Sequence, residues 1–440
     1  MQGKGVEMKM NVLNGMIRTL VAALAFAGAA LAADAGGVDL TIDRVQQRYP
    51  WNGLVDIDYT IAYADGTTVG PDDNLEVLFI DKSVTNRAVS FLQAPLPLTA
   101  GQHRITWDAH ADGVKKYVDK ATLRMKITHY NDVYMVIDVS GGPDASVYPV
   151  KFLNAAPVGG FNKEEYKSDN IVLRYVHYGS YMAGSPTDEF NRNPYGNFTE
   201  ERETQHRVAL SKAFYIGLFE ITQKQYLNVM KETNPAQFKT GQWEYRPVES
   251  VTWDTVRGGT WPNGRPKASS FMGLLCSKCK SRDVNGNYTV EVAGLDLPTE
   301  FQWEYACRAG TTGAYGTTNE IVNTQEGQDA QMNLLGRWGV NETELSDTHT
   351  VVGSYASNPW GLYDMHGNVS EWCLDWYVVD PAKLNPKQYL DPWGSSTSTG
   401  SHTIRGGCWS YPSRNCRSAS RYALAGMRNN NGFRLCRTVP

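Results

Sequence analysis

Glycine and large aromatic rings are abundant together in this chain, with 41 Gly beside 24 Tyr, 13 Phe and 12 Trp, and no other feature narrows its possible folds as much. Glycine supplies the turn conformations that join short elements, and large rings fill a core that such elements leave irregular. A loop-rich fold is expected, and long helical bundles are disfavoured. At 440 residues the chain exceeds one ordinary domain, so two units with separate cores are expected. Its 41% hydrophobic and 20% charged content is that of a globular protein, and a net charge of -4 offers no basic face to a polyanion. Nucleic acid is not an expected partner.

The amino terminus reads as an export address. Lys9 and Arg18 precede the apolar run Leu20 to Ala27, and Ala30-Leu31-Ala32 supplies small residues for cleavage. The apolar stretch is shorter than the ~20 residues a membrane span needs. Residues 1–32 are therefore expected to be a removed signal peptide, with no membrane span afterwards and a periplasmic, cell-surface or secreted location. Seven cysteines follow, at 276, 279, 307, 373, 408, 416 and 436. In an oxidising compartment disulfides are expected, with one thiol left over. Cys276 and Cys279 form a C-x-x-C, but with no second such pair and no nearby His pair a zinc site is disfavoured.

Residues 38–150 read as an all-β unit. Runs at 38–42, 54–59, 75–79, 103–107 and 123–127 alternate polar with apolar residues, and Gly, Asp and Pro clusters separate them. Period-two alternation buries one face of each strand, so a small immunoglobulin-like sandwich is expected, serving as a spacer, folding support or partner surface. It carries no catalytic constellation.

From Val172 onward, short motifs follow one another in order. They include Tyr181-Met182-Ala183-Gly184-Ser185-Pro186, Phe214-Tyr215-Ile216-Gly217, Arg246-Pro247-Val248-Glu249 and Leu297-Pro298-Thr299-Glu300. Thr222 with Gln225, and Thr299 with Gln302, have capping-box spacing, so helices are expected after each, the first through about Met230. The most specific block is 358–372, Asn-Pro-Trp-Gly-Leu-Tyr-Asp-Met-His-Gly-Asn-Val-Ser-Glu-Trp, followed by Arg405-Gly406-Gly407 and Asn431-Gly432-Phe433-Arg434. In this order, residues 172–440 resemble the formylglycine-generating-enzyme, or sulfatase-modifying-factor, family. The resemblance implies an irregular α+β fold related to C-type lectins, here preceded by the sandwich.

The same resemblance frames the chemistry. In the family's oxidase, two cysteines five positions apart after Arg-Gly-Gly hold copper(I), a soft ion that favours thiolates, and a cysteine of a sulfatase becomes formylglycine. Here Cys416 falls at the second position, Tyr411 at the first, Cys408 where the family has an active-site serine, and Ser370 where it has a tryptophan. A phenol near pKa 10 does not replace a thiolate. Cys408 and Cys416 are thus the candidate catalytic pair if they converge, and otherwise structural cysteines bonded to Cys373, Cys307 or each other. The resemblance also implies a structural calcium held by the side chains of Asp364 and Glu371 and the carbonyls of Gly367 and Val369. Calcium collects such oxygen ligands. The alternative is that Asp364 caps a turn and Glu371 meets an arginine such as Arg405. An iron-dependent sulfoxide synthase is disfavoured because the first unit lacks a His cluster, and His366 reads as a loop residue bonding backbone. Two functions remain: an oxidase acting on a protein or peptide substrate, or a calcium-stabilised lectin-like module that displays Trp360, Trp376, Trp409 and Tyr411 to a glycan, peptide or surface partner.

Overall fold

In strand Leu54–Tyr63 the side chains of Val55, Ile57, Tyr59 and Ile61 are buried while their neighbours alternate toward solvent. That period is what the first unit is built from. In the computed structural model, which describes residues 33–440 except 35–36, 65–66, 68, 71, 83, 94–95, 193–199, 317–323, 340–347 and 384–388, two antiparallel sheets face each other. One joins Val38–Gln47, Leu54–Tyr63 and Gly101–Asp108. The other joins Ala33–Asp34, Leu123–His129, Asp73–Asp81 and Val84–Ala88. Trp107 fills the space between them beside Phe79, their rings 5.7 Å apart. The proposed signal segment, 1–32, lies outside the described residues.

Tyr134–Asp138 and Tyr148–Leu153, which lie within or just past the 38–150 unit read from the sequence, pair instead with strand Asn170–Val176 or with each other. They thereby enter the eight-stranded sheet of the second unit, which also takes in Phe214–Gly217 and Cys436–Thr438. A separate four-stranded sheet holds Ser370–Trp376, His402–Arg405, Arg421–Leu424 and Asn431–Gly432. Helices are short, and among the described residues none is long and apolar enough to cross a membrane. The fold is α+β with much of its chain in loops.

Both capping boxes form. Thr222 Oγ1 accepts from Gln225 N while Gln225 Oε1 accepts from Thr222 N, opening helix Gln223–Val229, and Thr299 and Gln302 do the same for helix Glu300–Arg308. What fixes the loops is a set of buried arginine–glutamate pairs. Arg405 meets Glu304 at 2.8 Å, Arg417 meets Glu203 at 2.8 Å, Arg421 meets Glu300 at 2.7 Å and Arg434 meets Glu371 at 2.6 Å. A planar fork that binds carboxylates bidentately and also donates to carbonyls can tie together loops distant in sequence. Arg434 donates in addition to the carbonyls of Gly217 and Tyr363.

The two units touch through specific contacts. Ser180 Oγ donates to the carbonyl of Phe91 and accepts from its amide, Tyr178 Oη donates to Glu76, Arg207 pairs with Asp108 and Arg174 with Asp72. Tyr130 stacks on Tyr175 at 3.6 Å.

Candidate functional site

The loop after Arg405-Gly406-Gly407 is where the sequence points first. Gly407 has φ +70° and lies against Cys416, whose Sγ would be 2.5 Å from a Cβ at that position, so only glycine fits. The turn continues as Tyr411 N donates to the carbonyl of Cys408. Cys408 Sγ sits 3.3 Å from Ser410 Oγ and 3.3 Å from the amide nitrogen of Asn430. Ser370, in place of the family's tryptophan, donates to the carbonyl of Gly407. Tyr411 packs with Tyr315, Met332, Trp338 and Cys416 in a small apolar cluster.

Both thiols are buried and unbridged, as are Cys279, Cys307, Cys373 and Cys436, and Cys276 is a free thiol with partial exposure. The expected disulfides are therefore corrected: all seven cysteines are free thiols, including the neighbours Cys408 and Cys416. Burial pushes the Cys408 thiol up to about 11, with hydrogen bonds from Ser410 and others pulling the other way, and pushes Cys416 well above its ordinary value, to which neighbouring Cys408 adds. A thiol at such a value is protonated at neutral pH, whereas soft-metal ligation and nucleophilic attack both use the thiolate. The pair is near in space but neither open nor ionised.

In the Asp364 to Glu371 loop, Asp364 and Asn368 take left-handed conformations, and Gly367, at φ +90°, leaves no room for a Cβ against the carbonyl of Arg337. Glu371 is bonded at both oxygens. Its two oxygens receive Arg434 at 2.6 Å each, and Oε2 also receives the indole N–H of Trp303 at 2.8 Å. Asp364 Oδ2 accepts from Gly353 N, and its Oδ1 has no partner. Burial raises the Asp364 carboxyl to about 6. Glu220, which the sequence does not single out, enters the same loop by accepting from Asn368 Nδ2 at 2.6 Å and from Val369 N at 3.0 Å. Burial, then the nearby Asp364 and Glu371, push it well above its ordinary value. Of the two carboxylates expected to hold calcium, Glu371 is thus engaged by Arg434 and Trp303, while Asp364 keeps one oxygen without a partner. An arginine does meet Glu371, and it is Arg434 rather than Arg405.

His366 Nδ1 donates to the carbonyl of Cys416 at 2.7 Å and Nε2 accepts from Gly316 N at 3.0 Å, so its 3.6 Å approach to Cys307 leaves no free base. The four aromatic residues expected on display are separated. Trp409 is buried edge-on to Phe238, Trp376 stacks on His402, Tyr411 lies in the cluster around Trp338, and Trp360 meets Tyr305. The last two rings open onto a cavity of about 390 Å³ between the two units, lined also by Phe91, Tyr175 and Tyr178. It adjoins a second space of about 500 Å³ that shares Phe91, Gln93, Tyr305 and Trp360.

Comparison with known proteins agrees with this architecture. The family described as "Sulfatase-modifying factor enzyme 1-like domain" matches residues 161–439. A formylglycine-generating enzyme of Thermomonospora curvata is 37% identical over 227 residues, covering 46% of this chain and 73% of that protein. Chaperone protein LppX of Paenibacillus barcinonensis is 35% identical over 179 residues, covering 37% of this chain and 62% of the relative, so the chain spans less than two thirds of that protein. Among solved structures, Treponema denticola variable protein 1 aligns with a TM-score of 0.45 at 23% identity, over 62% of this chain and 96% of that one.

Proposed function

This chain belongs to the sulfatase-modifying factor enzyme 1-like family, and we propose that it uses the family scaffold as an exported recognition module for a protein or peptide rather than as a copper-dependent oxidase. The observation that carries this reading is the aromatic cleft between the two units, where Phe91 from the sandwich faces Tyr305 and Trp360 from the second unit. Clefts between domains, walled by rings with a few polar groups such as Gln93, are the usual form of a binding site. One relative is a chaperone protein, which fits a protein partner. The oxidase reading has one observation in its favour, that Cys408 and Cys416 are unbridged neighbours. Against it stand their burial, their raised thiols and Tyr411 at the first copper position.

Two measurements test the proposal. Copper(I) titration of the reduced protein, with oxygen uptake on a sulfatase-motif peptide, should show no binding tighter than in a Cys416→Ala variant and no uptake. Tight copper binding that Cys416→Ala abolishes, together with uptake, would return the oxidase. Binding of peptides from exported proteins and of glycans, compared between wild type and Trp360→Ala, should find a peptide whose affinity falls with the ring. Retention of glycans alone would overturn the protein partner.

A further inference from the structure

A third cavity shares no lining residue with the interdomain cleft or with the Cys408 loop. It opens between strand Cys436–Thr438, the start of helix Glu300–Arg308 and residues 391–393, and has a volume of about 390 Å³. Leu295, Leu297, Leu374 and Pro392 make most of its wall apolar, and the indoles of Trp261 and Trp393 complete it. The nitrogens of both indoles are buried, so what the two rings present to the cavity is carbon and π surface rather than a donor. Indole π surface attracts a cation, and Trp261 already has the Arg257 guanidinium 5.5 Å from its ring centre.

Three ionised side chains line the cavity, Asp296, Asp391 and Lys212, and they differ in how they are held. Asp296 receives the Arg257 guanidinium at 3.0 Å and Leu297 N at 2.9 Å, so its charge is neutralised within the wall. Lys212 is exposed, and no bond among the described residues fixes its ammonium, so its opposing charge is screened by solvent. Asp391 is both fixed and uncompensated. Its two oxygens accept from the amide and the hydroxyl of Ser211, and no cation among the described residues pairs with it. Each oxygen of an ionised carboxylate takes two hydrogen bonds, so one site on each is open. Gln302, by contrast, already accepts from Thr299 N and donates to Thr438 Oγ1. An apolar, aromatic cavity whose one preorganised charge is negative selects a molecule with an apolar body and a cation.

We propose that this cavity binds a small hydrophobic ammonium, its apolar body among the leucines and indoles and its N–H groups donating to Asp391. A space of this size takes one aromatic ring or a branched alkyl chain on a short stem. The same chemistry occurs in a free aryl or alkyl amine and in the apolar N-terminal residue of a peptide. The site is independent of the partner assigned to the interdomain cleft.

Nitrogen-15 labelling of the tryptophans of the full chain gives the test, since each of the 12 indole N–H groups has its own resonance. Trp261→Phe and Trp393→Phe identify the two signals at the cavity. Phenethylamine stands for the free amine, phenylalaninamide for the peptide terminus, phenethyl alcohol for the uncharged isostere and hydrocinnamate for the opposite charge. At a slightly acidic pH, where both amines are charged, saturable shifts of the two signals are expected with at least one amine, and the one that binds more tightly identifies the source. Asp391→Asn leaves an oxygen for Ser211 and is expected to weaken that binding about tenfold, the loss for a hydrogen bond between charged groups, while the remaining tryptophan signals report that the fold is retained. Phenethyl alcohol or hydrocinnamate binding wild type as tightly as the amines would overturn the ammonium, whether or not the Asn variant folds. No saturable shift at millimolar amine, or undiminished affinity in a folded Asp391→Asn, would overturn the site.

Discussion

Arg434 meets Glu371, one of the two carboxylates of the Asp364 to Glu371 loop. Its guanidinium holds Glu371 through two bonds in a fully buried position, where a structural cation would otherwise have been expected. Removing one partner of such a pair leaves the other as an unpaired buried charge, which costs about 3–5 kcal/mol. Arg434→Met is therefore expected to lower unfolding free energy by roughly that amount in urea titration, whereas adding a chelator to the wild type leaves the transition unmoved. If the chelator instead lowers the midpoint as much as the substitution does, a bound cation shares the loop with Arg434. The motif that ends in Asn431-Gly432-Phe433-Arg434 is plain in the sequence, but its partner Glu371 lies 63 residues away, and nothing local to either position announces the pairing.

Helix starts are the elements the sequence states most directly, and they allow a graded prediction. Thr299 serves its helix through one accepted bond from Gln302 N, so Thr299→Ala is expected to cost about 1 kcal/mol. Thr222 is fully buried, and its hydroxyl also donates to the carbonyl of Lys167 at 2.7 Å. Thr222→Ala removes a cap and orphans a buried acceptor, so a loss of about 2 kcal/mol or more is expected. Equal losses in urea unfolding would show that the Lys167 contact adds nothing. Caps, strands at period two and the turn at Gly407 are legible because their causes lie within a few residues of one another. Strand Val84–Ala88 escapes notice because four of its five residues are exposed and it carries no apolar alternation. Tyr134–Asp138 and Tyr148–Leu153 are not among the strands read from alternation, and the pairing of the first with Asn170–Val176 and of the second with the first is a matter of sheet partners, which alternation does not specify. The cysteines mislead for the opposite reason. Their number and compartment suggest bonds, and only the packing shows seven separate thiols.

Across the whole molecule, buried ionisable groups set a pH profile with two regimes. His177, His366 and His402 are lowered by burial to about 4 from an ordinary 6.5. The unfolded chain takes up those protons first, so each histidine withdraws stability as pH falls from 6.5 to 4. Asp364, raised by burial to about 6, acts with the opposite sign, since the folded state protonates it before the unfolded state does. Glu220 and Asp375, likewise raised by burial, add to that gain. His349 is lowered in the same way, and Asp132, Glu189 and Asp296 are raised by burial, so the opposing sets should leave stability nearly level across this interval. Below it the balance ends. Burial alone would raise Glu203 and Glu304, but Arg417 holds the first, and Arg308 with Arg405 the second, below the ordinary 4.5. Stability from these pairs is complete above 4.5 and disappears as pH falls through their folded values, and the second pair ties helix Glu300–Arg308 to strand His402–Arg405. Urea unfolding at pH steps from 7 to 3 should thus show a plateau followed by a steep fall beginning near the carboxylate range. In Asp364→Asn, one opposing gain is gone, so the plateau should tilt downward toward pH 5. A wild-type profile that already declines steadily from pH 6.5 would mean that the histidines outweigh the buried acids and that the cancellation is wrong.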